Sequence, residues 1–243
     1  ENGADFKLPD VNITSIYNTT HYFGYLYTNY HFNEDLTLTA GLSFDHYRSK
    51  QEIAEAKINE LNPKFGVIWK TTKNITFRGA IFKSVKSAIV DNQMLQPTQI
   101  AGFNQFFDDF NGSVAWQYGV GMDAHLLQNF YTGIEVFKRD LKIPKSVDFN
   151  DKTREELYRL YFNWTPKSFL AVNSEFRLEN FRNDNESATD VYPSYIETLS
   201  VPLSLRFFSP VGFFAEIKGI FFNQKALSIN LAEGGRGNDD FHS

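Results

Sequence analysis

The chain has 243 residues, 24 Lys and Arg against 29 Asp and Glu, a formal net charge of -5 and no cysteine. The mild acidity and the lack of a basic stripe argue against a nucleic-acid partner, and the missing cysteines exclude disulfides and thiolate metal sites. No apolar run of about 18 residues occurs, so no transmembrane helix is expected, yet 25 Phe and 12 Tyr are many for an ordinary globular domain.

About ten strands are expected along the chain, near residues 20–32, 36–47, 61–70, 75–83, 113–125, 130–142, 152–164, 169–181, 195–208 and 213–224. Each alternates an apolar with a polar wall, because successive side chains of a strand point to opposite faces. In residues 36–45 one face reads Leu36, Leu38, Ala40, Leu42, Phe44 and the other Thr37, Thr39, Gly41, Ser43, Asp45. In 170–179 Leu170, Val172, Ser174, Phe176 and Leu178 oppose Ala171, Asn173, Glu175, Arg177 and Glu179. In 198–207 Leu199, Val201, Leu203, Leu205 and Phe207 oppose Thr198, Ser200, Pro202, Ser204 and Arg206. A soluble sandwich alternates in the same way, but its strands are usually about 5 or 6 residues long. Runs of about 10 to 14 residues match the roughly 9 to 11 that cross a bilayer.

The connections alternate too. Short turn signals stand at 33–35, 71–74, 126–129, 165–168 and 209–212, and longer polar connections at 48–60, 84–111, 143–151 and 182–194. Short turns at one end and long loops at the other are the wiring of an antiparallel transmembrane β-barrel. Phe32, Trp69, Phe130, Trp164, Phe169, Phe207, Phe208, Phe213 and Phe214 flank the short turns and are expected to form an aromatic girdle. Leu38, Leu42, Val172, Leu199 and Leu203 are expected to face lipid, and Thr39, Ser43, Asn173 and Ser204 the interior.

Pro63 and Pro202 cannot donate to a ladder. Pro63 is placed near a strand start, and Pro202 predicts a bulge or a weaker central pairing. Residues 234–240 (GGRGNDD) read as a flexible loop. No closing aromatic strand follows. An open edge in hydrocarbon is prohibitively costly, so either these ten strands close into a small barrel or residues 1–243 are a barrel segment, part of a larger barrel; the second is the expectation.

The inward register collects Asp45, Lys64, Arg78, Asp123, Glu135, Arg139, Glu155, Arg159, Glu175, Arg177, Glu179, Arg206, Glu216 and Lys218. These line a hydrated interior, or simply pair across strands at about 0 to 1 kcal/mol each. The longest connection, 84–111, has an apolar interior that suits an ordered segment folded back over the barrel mouth or packed against a partner, with Phe103, Phe106 and Phe107 as anchors. Five scattered His make no metal-site spacing, and no catalytic constellation, metal or cofactor is expected.

TLTAGLSFDHY (37–47), LNPKFGV (61–67) and NITFRGA (74–80) resemble the barrel of TonB-dependent receptors, where LTLTAGLRYDHY is followed by LNPRLGL and TLRAGYG. LQPTQIAGFNQFFDD (95–109) is similar to outer-membrane proteins whose barrel follows tetratricopeptide repeats; receptors carry a P…LKPE…YE pattern there. The resemblance implies a bacterial outer-membrane location, with outer-membrane lipid and periplasmic or envelope proteins as partners. The function it implies is transport or export of a solute or polymer, or anchoring of an envelope assembly, and not an enzyme. No plug domain, TonB box or tetratricopeptide repeat is seen. A scaffold barrel with a blocked lumen and a soluble secreted all-β binding domain are the alternatives.

Overall fold

The computed structural model describes residues 18–50, 55–86, 96–105, 112–146, 149–184, 193–230 and 235–239. Its regular elements are all strands: β1 (Asn18–His31), β2 (Leu36–Lys50), β3 (Glu55–Thr72), β4 (Ile75–Val85), β5 (Gln99–Ile100), β6 (Phe103–Asn104), β7 (Val114–Leu127), β8 (Phe130–Ser146), β9 (Phe149–Lys167), β10 (Leu170–Asn183), β11 (Pro193–Phe208), β12 (Phe214–Asn230) and β13 (Gly235–Asp239). One antiparallel sheet runs β1-β2-β3-β4-β7-β8-β9-β10-β11-β12-β13, and β5 pairs only with β6. Each strand of this sheet thus pairs with its sequence neighbours in the sheet, the β5–β6 hairpin being the one insertion among the described residues. The fold class is all-β, as expected.

Local chemistry sets the tight ends. Asn33 Oδ1 accepts from the amides of Asp35 and Leu36 at 2.9 and 2.8 Å, which closes the β1–β2 turn. Gly212, at φ +87°, occupies a left-handed position in the β11–β12 turn that a side chain would strain.

The faces separate cleanly. Leu42 and Leu203 are 42% and 47% exposed, whereas their chain neighbours Ser43 and Ser204 are 4% and 7% exposed. Cross-strand partners share a face, so register extends the assignment. Leu42 stands between Leu26 and Pro63, Val172 between Trp164 and Leu205, and Leu178 between Tyr158 and Leu199. On the inner face Thr39 Oγ1 donates to Asn29 at 2.8 Å, and Asn173 Nδ2 to Asn163 at 2.6 Å. The outward apolar run from Leu199 to Phe207 covers about 26 Å of strand at about 3.3 Å per residue. Tilted by about 40°, that is about 20 Å of membrane normal, close to the apolar band of an outer-membrane barrel.

Several strands outrun their expected bounds at the long-loop end: β3 begins at Glu55 and β12 reaches Asn230. The ladder continues there after the outward face has left lipid, so the alternation fades while the hydrogen bonds persist. Residues Gly235–Asp239, expected as loop, form β13 against Ala226–Asn230. Such pairing uses backbone groups, which glycine carries like any residue.

Pro63 lies well inside β3, not near its start, opposite Leu42. The β3–β4 ladder begins one residue later, at Lys64↔Phe82. That register sets Pro63 opposite Lys83, whose carbonyl accepts instead from Lys64 Nζ at 2.7 Å. Pro202 makes no bulge: the β10–β11 register is the same on both sides of it, with the pairing broken between Ser174↔Leu203 and Arg177↔Ser200. This is the weaker central pairing.

Leu203→Arg should cost about 2 to 4 kcal/mol if residue 203 lies near the bilayer midplane, whereas Ser204→Arg, beside Glu216, should be tolerated. Folding titrations in lipid vesicles check this, and equal tolerance at the two positions would overturn the facing.

Candidate functional site

The polar face of the sheet carries a ladder of charge laid across strands. Arg159 of β9 donates two hydrogen bonds to Glu175 of β10, at 3.0 and 2.6 Å. Arg159 is also the cross-strand partner of Glu135 on β8. Glu135 accepts from Arg78 of β4 at 3.2 Å, and Arg78 Nε donates to Asp123 of β7 at 2.6 Å. Tyr161 completes the ladder, its hydroxyl donating to Asp123 and its ring lying 5.0 Å from the Arg159 guanidinium. Residues alternate along each strand, so only same-parity residues at matched register can meet in this way.

Other expected inward residues pair locally. Arg139 donates to Glu155 at 2.6 Å, Arg177 to Glu179 at 2.7 Å and Arg206 to Glu216 at 2.9 Å. Lys218 of β12 is exposed and stands opposite Ser204. Asp45, 7% exposed, accepts from Asn62 at 2.7 Å and meets His21 at 3.1 Å. Lys64 is fully buried nearby and spends its ammonium on the Lys83 carbonyl.

Onto this wall folds the β5–β6 hairpin. Its turn residues Ala101 and Gly102 both have positive φ, at 48° and 84°, as a two-residue hairpin turn requires. Ile100 and Phe103 are buried against Phe82 and Phe137, and the Phe103 ring stacks on Phe137 at 5.9 Å. The Arg78 guanidinium lies 5.0 Å from the Phe103 ring centroid, so ladder and hairpin share one side chain. Tyr27 of β1 donates to Gln96 at 3.0 Å and accepts from Gln105 at 3.3 Å. Phe106 and Phe107 lie outside the described residues.

The seat is made by glycines. A Cβ on Gly66 would stand 2.8 Å from Ile100 Cγ2 and 2.9 Å from Ala101 Cβ, and one on Gly119 only 2.5 Å from the Phe103 ring. Glycine inside a strand often marks such a close approach. His21, Asn62, Tyr27, Tyr161, Gln96 and Gln105 were not foreseen as members of the site. Parity alone placed several of them inward, but only register and the hairpin's fold reveal their partners. Gly119→Ala should expel Phe103 and cost about 1 to 3 kcal/mol by overpacking, exposing residues 96–105 to protease. Gly24→Ala, with open space at its Cβ, should leave the cutting unchanged. Limited proteolysis of the folded variants is the measurement.

Among solved structures, the FrpB iron transporter from Neisseria meningitidis is similar, with 14% identity and a TM-score of 0.55 over 95% of this chain and 44% of that one. The ferripyoverdine receptor of the outer membrane of Pseudomonas aeruginosa, bound to ferripyoverdine, gives 10% identity and a TM-score of 0.52 over 88% and 33%. This chain therefore spans less than half the length of either, and at these identities the likeness is one of fold. No curated protein matches in sequence. Residues 2–143, more than half of the chain, match the family described as TonB dependent receptor-like, beta-barrel. The chain belongs to the TonB-dependent receptor-like β-barrel family of the bacterial outer membrane.

Proposed function

We propose that residues 1–243 form one segment of the wall of a larger outer-membrane transport barrel, whose inner face lines the path of a solute or polymer. The observation that carries this reading is the contrast between faces: exposed apolar side chains outside, and a ladder of ion pairs inside that hydrocarbon would not tolerate. In this reading Asp45, Arg78, Asp123, Glu135, Arg139, Glu155, Arg159, Glu175, Arg177, Arg206, Glu216 and Lys218 are lumen-facing. Phe103 anchors the hairpin that narrows the path, with Phe106 and Phe107 as further anchors. Among the described residues no ladder joins β1 to β12 or β13, which supports further strands completing the wall.

The cargo follows less directly. The FrpB structure is that of an iron transporter and the Pseudomonas structure that of a ferripyoverdine receptor. The sequence LQPTQIAGFNQFFDD (95–109) instead supports the group in which the barrel follows tetratricopeptide repeats, with periplasmic or envelope proteins as partners. The seated hairpin also favours a second reading, a scaffold barrel with a blocked lumen that anchors an envelope assembly.

Conductance of the full-length protein in planar bilayers separates the two. Replacing residues 98–105 by a short Gly-Ser link should open or widen the channel severalfold relative to the parent. Closed traces from both proteins, each shown to be folded and inserted, would overturn the transport reading and leave the scaffold.

A further inference from the structure

Two rows of the polar face cross from β4 towards β10 in register. One runs Arg78, Gly121, Glu135, Arg159, and the next, nearer the short turns, runs Thr76, Asp123, Gly133, Tyr161, Glu175. Each row has a glycine where a side chain would block the reach between strands. A Cβ on Gly121 would stand 3.2 Å from Arg78 Nη2, and one on Gly133 would collide with the Tyr161 hydroxyl. Arg78 therefore spans Gly121 to reach Glu135, and Tyr161 spans Gly133 to reach Asp123. The two glycines clear the space in which distant strands share one set of charges.

That set is unbalanced. Three carboxylates, Asp123, Glu135 and Glu175, stand against the two guanidiniums of Arg78 and Arg159. Asp123 takes Nε and Nη2 of Arg78 at 2.6 and 3.3 Å, and Glu175 takes Nε and Nη2 of Arg159 at 3.0 and 2.6 Å. Glu135, its side chain 13% exposed, is left with the 3.2 Å bond from Arg78, although Arg159 stands directly opposite it. Without Glu175 the charges would match one to one, Arg159 with Glu135 and Arg78 with Asp123. Arg78 is also where the hairpin rests. Its guanidinium lies 5.0 Å from the Phe103 ring centroid, and a Cβ on Gly102 at the tip would stand 2.7 Å from its Nη1.

We propose that this ladder is a relay: engaging or neutralising Glu175 turns Arg159 onto Glu135, withdraws Glu135 from Arg78 and loosens the hairpin tip in its seat. Asp123 keeps Arg78 paired, so the guanidinium pivots without being stranded. The input is accessible and the output is not: the Glu175 side chain is 29% exposed, against 13% for both Arg78 and Glu135. Two alternative pairings of the same groups are the kind of two-state element that coupling between sites requires. It spans four strand spacings, about 19 Å at about 4.8 Å each.

The test is hydrogen exchange of the full-length protein in phosphatidylcholine nanodiscs, read by mass spectrometry on peptides covering residues 98–105. There the Gln105 amide donates to the Thr98 carbonyl at 2.8 Å. Glu175→Gln should speed exchange of these peptides about fivefold. Glu179→Gln, whose carboxylate pairs with Arg177 outside the ladder, should match the parent. Glu175→Gln combined with Arg159→Gln should return to the parent rate, because no cation is left to draw Glu135 away. A merely structural role for Glu175 would leave the double variant at least as fast as the single one. Parent-like exchange in Glu175→Gln, no rescue in the double variant, or a rise spread evenly over the sheet would each overturn the relay. Heat-modifiable gel migration reports folding, and should Glu175→Gln fail to fold, Glu175→Asp carries the test, with a smaller rise expected and a parent-like rate overturning it. The readout follows the hairpin and not conductance, so it stands whether or not the barrel transports.

Discussion

A chain that crosses hydrocarbon has no water for its amides and carbonyls, and every other feature of this sheet follows from that. Most ladders from β1 to β12 run along nearly the whole length of the strands, because each unpaired group in lipid costs several kcal/mol; the β3–β4 ladder, which takes only Lys64–Thr72 of β3, is the shorter one. Continuous ladders fix the side-chain period at two, so a slip of one residue would turn Leu203 inward and Ser204 into lipid. The prolines show how strictly the rule is met. Where Pro63 offers no N–H, the Lys83 carbonyl takes the ammonium of Lys64, and near the broken pairing at Pro202 the Ser174 hydroxyl donates to the Pro202 carbonyl at 3.2 Å.

The inner wall answers a different constraint. Charges excluded from the lipid face collect inside, where unlike charges must alternate or repel. Arg78 stands between Asp123 and Glu135, and Arg159 between Glu135 and Glu175, so each cation faces two anions. The exposed members of such networks add little stability, about 0 to 1 kcal/mol per pair. Arg78 differs because the hairpin covers it and leaves its side chain 13% exposed. Removing both of its partners would strand a poorly hydrated charge, which costs far more than forming the pairs gains. Its position is thereby fixed, and with it the cation–π seat of Phe103.

How much of this was legible in the sequence depends on which face meets lipid. The apolar half of each dyad is visible wherever the outward residues touch hydrocarbon, so the strands and their facing could be read directly. The same strands vanish from the pattern where they rise out of the membrane, as in the first residues of β3 and the last of β12. Which residues share the polar face was readable from parity, but partnership was not. Arg78 and Glu135 are 57 residues apart, and only the register across β4, β7 and β8 brings them together. The hairpin left a partial trace: its apolar, aromatic composition stood out in a long connection, while its two-residue strands are too short for any periodicity. Gly66 and Gly119 look like weak points in their strands, and their reason appears only once Ile100 and Phe103 are seated on them.

The hairpin also divides the inner wall. It covers the side built from β1, β3, β4, β7 and β8, through contacts with Tyr27, Gly66, Arg78, Gly119 and Phe137. The inner face of β10 to β12 keeps Arg177, Glu179, Arg206 and Lys218 open, with side-chain exposures of 39%, 44% and 48% for the first three. Covered charge is held rigidly by several partners, whereas open charge on long side chains can exchange partners at little cost. In the proposed path a polar cargo would therefore meet the β10–β12 side, where each ion pair can be replaced by a contact with the cargo. The covered side would act as a fixed boundary, because displacing the hairpin would leave Ile100 and Phe103 in water and Arg78 without its aromatic neighbour. One register thus supplies both a rigid half and a yielding half of the same wall.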